Sequence, residues 1–402
     1  MLKRFYRYVD KLFGLSSEFE LVTDSRKTAR ISTSRVLRAV FVTMTTRMGS
    51  LNAIEQEQKI GKASLGMSAD TMGRVLCKIN PDQSRKILTK INHQLKRNKC
   101  FTSSPQSPLI FVAVDGHELF SSRSRCCEKC LERVLQINDS DVTEYYHRIV
   151  ACHLVGFSLA APLDVEPILP GEGELTAAHR LMKRVFLNYP RFFDGVIGDA
   201  LYMNTPFFNL CEANGKYVIA VLKEEQRHLY RDADGLFARE HPKRFEENGI
   251  QARVWDEEGF NSCEGMTVPI RVLHTEETSA RKRRAGNHWL IESQTTTWRW
   301  ATTVPLSVLS SQQLWRVGHS RWDIENDLFN SLSQNWHLDH CFKHDPVAII
   351  NFILILFISF ALIQCFHQKN LKASLKKISL IAVSRAFFRD LAELNFRPKG
   401  PP

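Results

Sequence analysis

The chain has 402 residues, 44% of them apolar, which excludes a disordered polyelectrolyte and allows a sizeable core spread over two or three domains. Lys and Arg outnumber Asp and Glu by 54 to 43, a formal charge of +11. That charge argues for a polyanionic partner, because basic side chains seated on phosphates release condensed counterions. Ten cysteines and an N-terminus without an apolar leader are read as free thiols in a reducing cytoplasm.

From residue 1 to about 105, apolar residues recur at three- and four-residue spacing among Lys and Arg, which predicts an N-terminal helical region. Within it, SLGMSADTMGRVLCKINP reads as a turn and then a helix. Ser68 or Asp70 would cap that helix, Met72, Val75, Leu76 and Ile79 form its apolar stripe, and Pro81 follows its end. Thr71, Arg74 and Lys78 share the outer face. A recognition helix of a helix-turn-helix and a plain solvated face are both open readings.

The Ser/Pro-rich TSSPQSP marks a linker, and LIFVAVD after it has the length and β-forming composition of a strand ended by Asp115. A strand over 145–156, a helix over 175–187, the strand GVIGD ending at Asp199, a helix over 204–213 and the strand KYVIAVLK follow. Together they predict, over 106–222, a mixed sheet with helices on its faces. Over 223–302, charged turns alternate with RVWDEEGF, TVPIRVLHT, HWLIES and TWRWATTV, a β-rich insertion. Helical patterning returns over 303–395, and the tail 396–402 is expected to be disordered. The apolar run 347–366 is long enough to cross a bilayer, but Asn351, Ser359 and Gln364 interrupt it, and the expectation is a buried core helix.

Asp115 and Asp199 end strand-like runs, and Glu325 sits on a helix one turn after Arg321. Carboxylates so placed are reachable from solvent on rigid backbone, as a pair of Mg²⁺ ions clamping the two oxygens of a phosphodiester displacement requires. Taken singly, each has a bland reading as a turn residue, a cap or a surface ion pair. Asp164, Glu166, Glu172, Glu174, Asp323 and Asp339 compete by residue type.

The strings DGHELFSS, GDALY and RWDIENDLFNSL, the last followed by WHLDHCFKHDP, resemble the DDE transposases of bacterial insertion sequences. The resemblance spans about 111–346 and is to the group with an RNase H-like core and a β-rich insertion between the second Asp and the Glu. It implies an α/β fold, an RNase H-like mixed sheet flanked by helices, with the helical region 1–105 binding DNA. Asp115, Asp199 and Glu325 would be the catalytic triad and the ligands of two Mg²⁺ ions, with Mn²⁺ as a substitute. Arg321 matches the arginine of the family's Y-R-E-K signature, whereas Gly318 stands in place of its Tyr and Leu332 in place of its Lys, a divergent pattern. The implied reaction is cleavage of one strand at the element's end by metal-activated water, then attack by the freed 3′-hydroxyl. A homodimer would act on terminal inverted repeats and target DNA, in the bacterial cytoplasm at the nucleoid, with no membrane involved. An RNase H-like nuclease without strand transfer and a non-catalytic, decayed DNA-binding protein are the alternatives.

Two further clusters stand out. Arg281, Lys282, Arg283 and Arg284 form a basic run near Trp289, Trp298 and Trp300. The run reads as a DNA contact, while alternating Trp-Arg-Trp reads first as sheet packing and second, by the resemblance, as a base-stacking platform through Trp298. Cys127 and Cys130 form a C-x-x-C with His147, Cys152 and His153 downstream at a separation that could close a structural Zn²⁺ site. Unliganded thiols are the preferred reading, Cys126 offers another ligand, and His337, His340 and His344 are read as hydrogen-bonded around the glutamate helix.

Overall fold

The computed structural model describes residues 1–60, 67–104, 106–223, 227–285 and 288–396. The first residues of the turn expected before Ser68 and, apart from Phe396, the expected tail lie outside them. In chain order the helical region holds α1 (Leu2–Phe13), α2 (Leu15–Leu21), α3 (Thr33–Thr45), α4 (Leu51–Ile60), α5 (Ala69–Leu76) and α6 (Pro81–Arg97). Next come β1 (Phe111–Ser122), β2 (Leu131–Ile137), β3 (Ser140–Leu154), β4 (Ala161–Pro167), α7 (Glu174–Asn188), β5 (Gly195–Gly198), α8 (Thr205–Glu212) and β6 (Tyr217–Val221). The insertion contains α9 (Arg227–Phe237), β7 (Lys243–Glu247), β8 (Ile250–Phe260), β9 (Ile270–Ala285) and β10 (His288–Thr302). After it come α10 (Ser311–Ser320), a π-helical stretch Ile324–Asn330, α11 (Ser331–Trp336), α12 (Pro346–Asn370) and α13 (Leu380–Phe396). The class is mixed α/β, as the order of strand and helix patterns predicts.

The chain forms two compact units, the first of Met1–Thr102, Gly116–Tyr189 and Ile324–Pro402, the second of Ser103–Asp115 and Pro190–Asp323. In the first, α12 is the core element. It packs against α3, α6, α1 and β4, and every residue from Ala348 to Phe366 is buried. The helix that is apolar enough to cross a membrane is therefore enclosed by protein over 89% of its most apolar stretch. The polar residues that interrupt it explain why. Asn351 donates to the carbonyls of Leu76 (3.1 Å) and Ile79 (2.9 Å) and accepts from Ser84 Oγ at 2.8 Å. Gln364 exchanges two 3.0 Å bonds with the backbone of Ala160, and Ser359 bonds back to Ile355. Asn351→Leu should cost about 2–4 kcal/mol in a denaturant titration, because it orphans a buried hydroxyl and two carbonyls at once.

β3 lies between β1 on one side and β2 and β4 on the other. β4 escaped the sequence reading because both its faces are buried and its polar residues point inward. Asp164 accepts from Arg85 Nε (3.0 Å) and Arg184 Nε (2.5 Å), and Glu166 from Arg180 (2.9 Å) and Arg184 (2.8 Å). Glu172 is held by Arg180 and Glu174 by Arg148 at 3.0 Å. Four carboxylates that rivalled the triad by residue type thus anchor β4 and α7 to arginines. α5 begins as the capping signal indicates, with Ser68 Oγ accepting from Thr71 N at 3.2 Å. Met72, Val75, Leu76 and Ile79 are buried, and exposed Arg74 pairs with Asp70 at 2.8 Å.

In the second unit β1 pairs parallel with β5 and β5 parallel with β6, after which β10, β9, β8 and β7 continue antiparallel. HWLIES and TWRWATTV are one strand, β10, in register with β9 from Thr302↔Arg271 to His288↔Ala285; beyond Ser279, where the pairing of β9 with β8 ends, the two strands form an arm by themselves. The insertion also holds a helix, α9, that its strand-rich composition concealed. The root of the arm is locked by Arg271, whose Nε and Nη2 donate to Asp256 at 2.7 and 2.6 Å. Its Nη1 meets the carbonyls of Val304 (3.2 Å) and Leu309 (2.8 Å), and both members of the pair are buried.

Candidate active site

The last paired residues of β1 and β5 are Ala113 and Ile197. Asp115 and Asp199 each lie two residues further on, so the parallel register brings them level on neighbouring strands, whose spacing is about 4.8 Å. Asp199 follows the end of β5, but Asp115 does not end its strand as the sequence suggests, because β1 runs on to Ser122, where it pairs with β3 instead. Gly195 makes the close pairing possible, since a Cβ there would fall 2.3 Å from the Phe111 ring. Asp199 also caps the 3₁₀ turn Ala200–Tyr202, accepting the Leu201 N–H on Oδ1 at 2.8 Å, which fixes its side chain. Asp115 accepts from Nη1 of Arg321 at 3.3 Å. Arg321 ends α10, is 6% exposed and stacks its guanidinium over Trp322 at 4.2 Å. Two carboxylates and one buried cation therefore meet in the second unit.

Glu325 belongs to the first unit, as the second residue of the π-helical stretch, and is half-buried. A π turn carries an extra residue per turn and re-aims the side chains on it. This stretch is held to the outer half of β1 by His117, whose imidazole stacks on Phe329 at 4.5 Å and 14°. The same His117 Nε2 lies 2.8 Å from Asp339 Oδ1 and 3.3 Å from Ser333 Oγ. Asp339, another rival carboxylate, is thereby engaged. The sequence reading passed over His117, although it sits two residues after Asp115 within the quoted DGH string.

The departures from the Y-R-E-K signature have local structural counterparts. A Cβ at Gly318 would lie 2.7 Å from the Trp300 ring, so the indole occupies the space beside that position. Trp300 stacks on Trp298 at 6.0 Å, and His319 packs edge-on to both. Buried Glu277 accepts from Trp315 Nε1 (2.8 Å) and faces His319 Nε2 (2.9 Å). Leu332 is fully buried on α11, where a lysine would place a charge in the core. Gly318→Ala should therefore destabilise by about 1–3 kcal/mol on thermal or urea melting, although helix propensity alone would favour Ala by about 1 kcal/mol. A stabilised variant would show that Trp300 yields.

On the arm, Arg281 and Arg284 are exposed, with Arg281 Nη1 donating to Gln294 at 3.1 Å. The side chains of Lys282 and Arg283 lie outside the described residues. Trp298 is half-buried in its aromatic cluster, whereas Trp289 is 68% exposed.

Cys127, Cys130 and His147 come together, and the residue that joins them is His344, read from sequence as hydrogen-bonded near the glutamate helix. Burial, reinforced by the charge of His344, pushes the His147 imidazole down to about 4, so both its neutral form and its lone pair persist at neutral pH. Cys152 and His153 are buried elsewhere on β3, and His153 Nδ1 has no hydrogen-bond partner. Cys126 is exposed, and none of the ten cysteines is paired in a disulfide.

No curated protein matches the chain closely enough to count as a relative. The family described as transposase DDE domain matches residues 140–362, more than half of the chain; the match takes in Asp199, Arg321 and Glu325 and begins after Asp115. With a mixed α/β fold consistent with an RNase H-like DDE domain, this chain belongs to the transposase DDE domain family.

Proposed function

We propose that this protein is the DNA transposase of an insertion sequence, cutting DNA at the element's ends and joining the freed 3′-hydroxyl to target DNA. The observation that carries this reading is the level placement of Asp115 and Asp199 on paired parallel strands, with Arg321 on Asp115. By the resemblance, Glu325, four residues beyond Arg321 in the sequence, would be the third carboxylate of the triad. The donors are carboxylate oxygens only, a set that suits Mg²⁺ or Mn²⁺ rather than a thiophilic ion. Two such ions, when bound, would polarise the scissile phosphate and lower the pKa of the attacking water.

The protein's own groups then have separable tasks. The Leu201 N–H holds Asp199 in one rotamer, so its charge needs little reorganisation. Arg321 orients Asp115 and presents a cation where a phosphate would approach. Arg281, Lys282, Arg283 and Arg284 on the arm, together with Arg74 on α5, contact the DNA backbone. Stacking on an unpaired base falls to Trp289, whose ring is exposed, rather than to Trp298. A homodimer on paired ends, at the nucleoid in the bacterial cytoplasm, completes the reading.

The test is a Mg²⁺-dependent assay on DNA carrying the element's own ends, with Asp199→Asn and Glu325→Gln beside wild type. Joined product made by wild type and lost in both variants supports the reading. Cleavage without joining would replace it with a nuclease, and binding without either reaction with a DNA-binding protein.

A further inference from the structure

The Cys127, Cys130, His147 and His344 cluster lies wholly within the first unit, so its geometry rests on one compact body. Three separate chain segments supply it: the loop after β1, the middle of β3, and the residue before the Asp345 cap of α12. The two sulfurs are 3.6 Å apart, far beyond a disulfide bond length, and the two Nε2 atoms 3.3 Å apart. Cys130 Sγ lies 3.4 Å from His147 Nε2 and 3.2 Å from His344 Nε2, and Cys127 Sγ lies 3.4 Å from His147 Nε2. All four ligand atoms fall within 4.8 Å of one another.

Tetrahedral zinc with Zn–S near 2.3 Å and Zn–N near 2.05 Å requires ligand separations of about 3.8 Å for S–S, about 3.6 Å for S–N and about 3.3 Å for N–N. Each measured separation is within about 0.4 Å of its ideal. Hydrogen bonding alone would not bring four such atoms to mutual contact, because a thiol is a weak donor and a neutral imidazole has one N–H to give. The Cys127 N–H points at Cys130 Sγ at 3.2 Å, a donor that would steady a thiolate. Phe120 packs on both imidazoles, at 5.4 and 5.7 Å, closing the cluster on one side with an apolar ring.

We propose that Cys127, Cys130, His147 and His344 bind one structural Zn²⁺ ion that ties the loop after β1 and β3 to the start of α12. With four protein ligands the site is closed, so the zinc serves architecture and is separate from the carboxylate ions of the reaction. The Cys2His2 donor set also selects against Mg²⁺. The site does not rest on the transposase reading, and it fixes the chain just beyond the glutamate helix.

The experiment uses the full chain purified without chelator. Metal analysis should find one zinc per wild-type chain, and Co²⁺ exchanged into the site should give the intense visible bands of a tetrahedral thiolate-containing centre. His344→Ala and Cys127→Ser should lose the metal, while Cys126→Ser, Cys152→Ser and Asp199→Asn keep it. His344→Cys should retain zinc and strengthen the Co²⁺–thiolate charge-transfer band, which tests His344 even where the alanine variant does not fold. Folded wild type that carries no zinc and takes up no Co²⁺, or His344→Ala that keeps both, would overturn the proposal. So would a Cys127–Cys130 disulfide found by mass in freshly prepared protein.

Discussion

Asp199→Asn is expected to lower strand transfer by about a thousandfold or more, close to 4 kcal/mol of transition-state stabilisation, while DNA binding and melting temperature stay near wild type. The substitution separates charge from structure unusually well here. The amide oxygen of Asn can still accept the Leu201 N–H that caps the 3₁₀ turn, so the local backbone should stand. What disappears is one negative charge at the proposed metal position, and with it part of the hold that position would have on the ions. Asp115→Asn makes the contrast, because it also weakens an ion pair with buried Arg321 and should therefore lose some stability as well as activity. Glu325→Gln should behave like Asp199→Asn in activity. Quantified joined product in a time course reads all three. A loss below about tenfold for Asp199→Asn would remove that residue from the catalytic set.

Asp256→Ala should cost about 3–5 kcal/mol, the largest stability loss of any single change suggested by the structure. The reason is the charge left behind. Arg271 is 2% exposed, and without Asp256 its guanidinium keeps two backbone carbonyls but no counter-ion. Removing both charges is the informative control: Asp256→Leu with Arg271→Met should recover most of the loss, since an apolar pair of similar volume has no desolvation penalty to offset. Urea titration with a probe on the arm measures it, and a single-variant loss under about 1 kcal/mol would show that Arg271 finds water instead. Because this pair sits at the root of β9 and β10, weakened DNA binding by the single variant should follow the loss of fold.

Local chemistry made much of this protein readable. Ser68, the Pro81 boundary, the start of the strand that carries Asp115 and the strand before Asp199 each follow from short-range rules of capping, φ restriction and β-propensity, and the structure places the corresponding elements there, although β1 runs past Asp115 to Ser122. The run 347–366 was correctly read as a core helix because its polar interruptions needed partners that only protein could supply. β4 and α9 were missed for opposite reasons. In β4 the charged residues face inward onto arginines, which inverts the usual polarity pattern, and α9 is a short amphipathic helix surrounded by strand-forming sequence.

What the sequence determined by itself was the inventory: the carboxylates on strand-like runs, the Arg and Glu one turn apart, the basic run, the C-x-x-C, and the mixed α/β class. Short-range periodicity and residue chemistry suffice for those. Tertiary structure decided which members of each inventory meet. The parallel register of β1 and β5 levels Asp115 with Asp199 and leaves Asp164, Glu166, Glu172 and Glu174 to arginines. Trp300 fills the place beside Gly318, and His344 arrives at His147 from 197 residues away. Such meetings depend on long-range strand pairing and close packing, whose energies couple residues remote in the chain, so no local pattern encodes them.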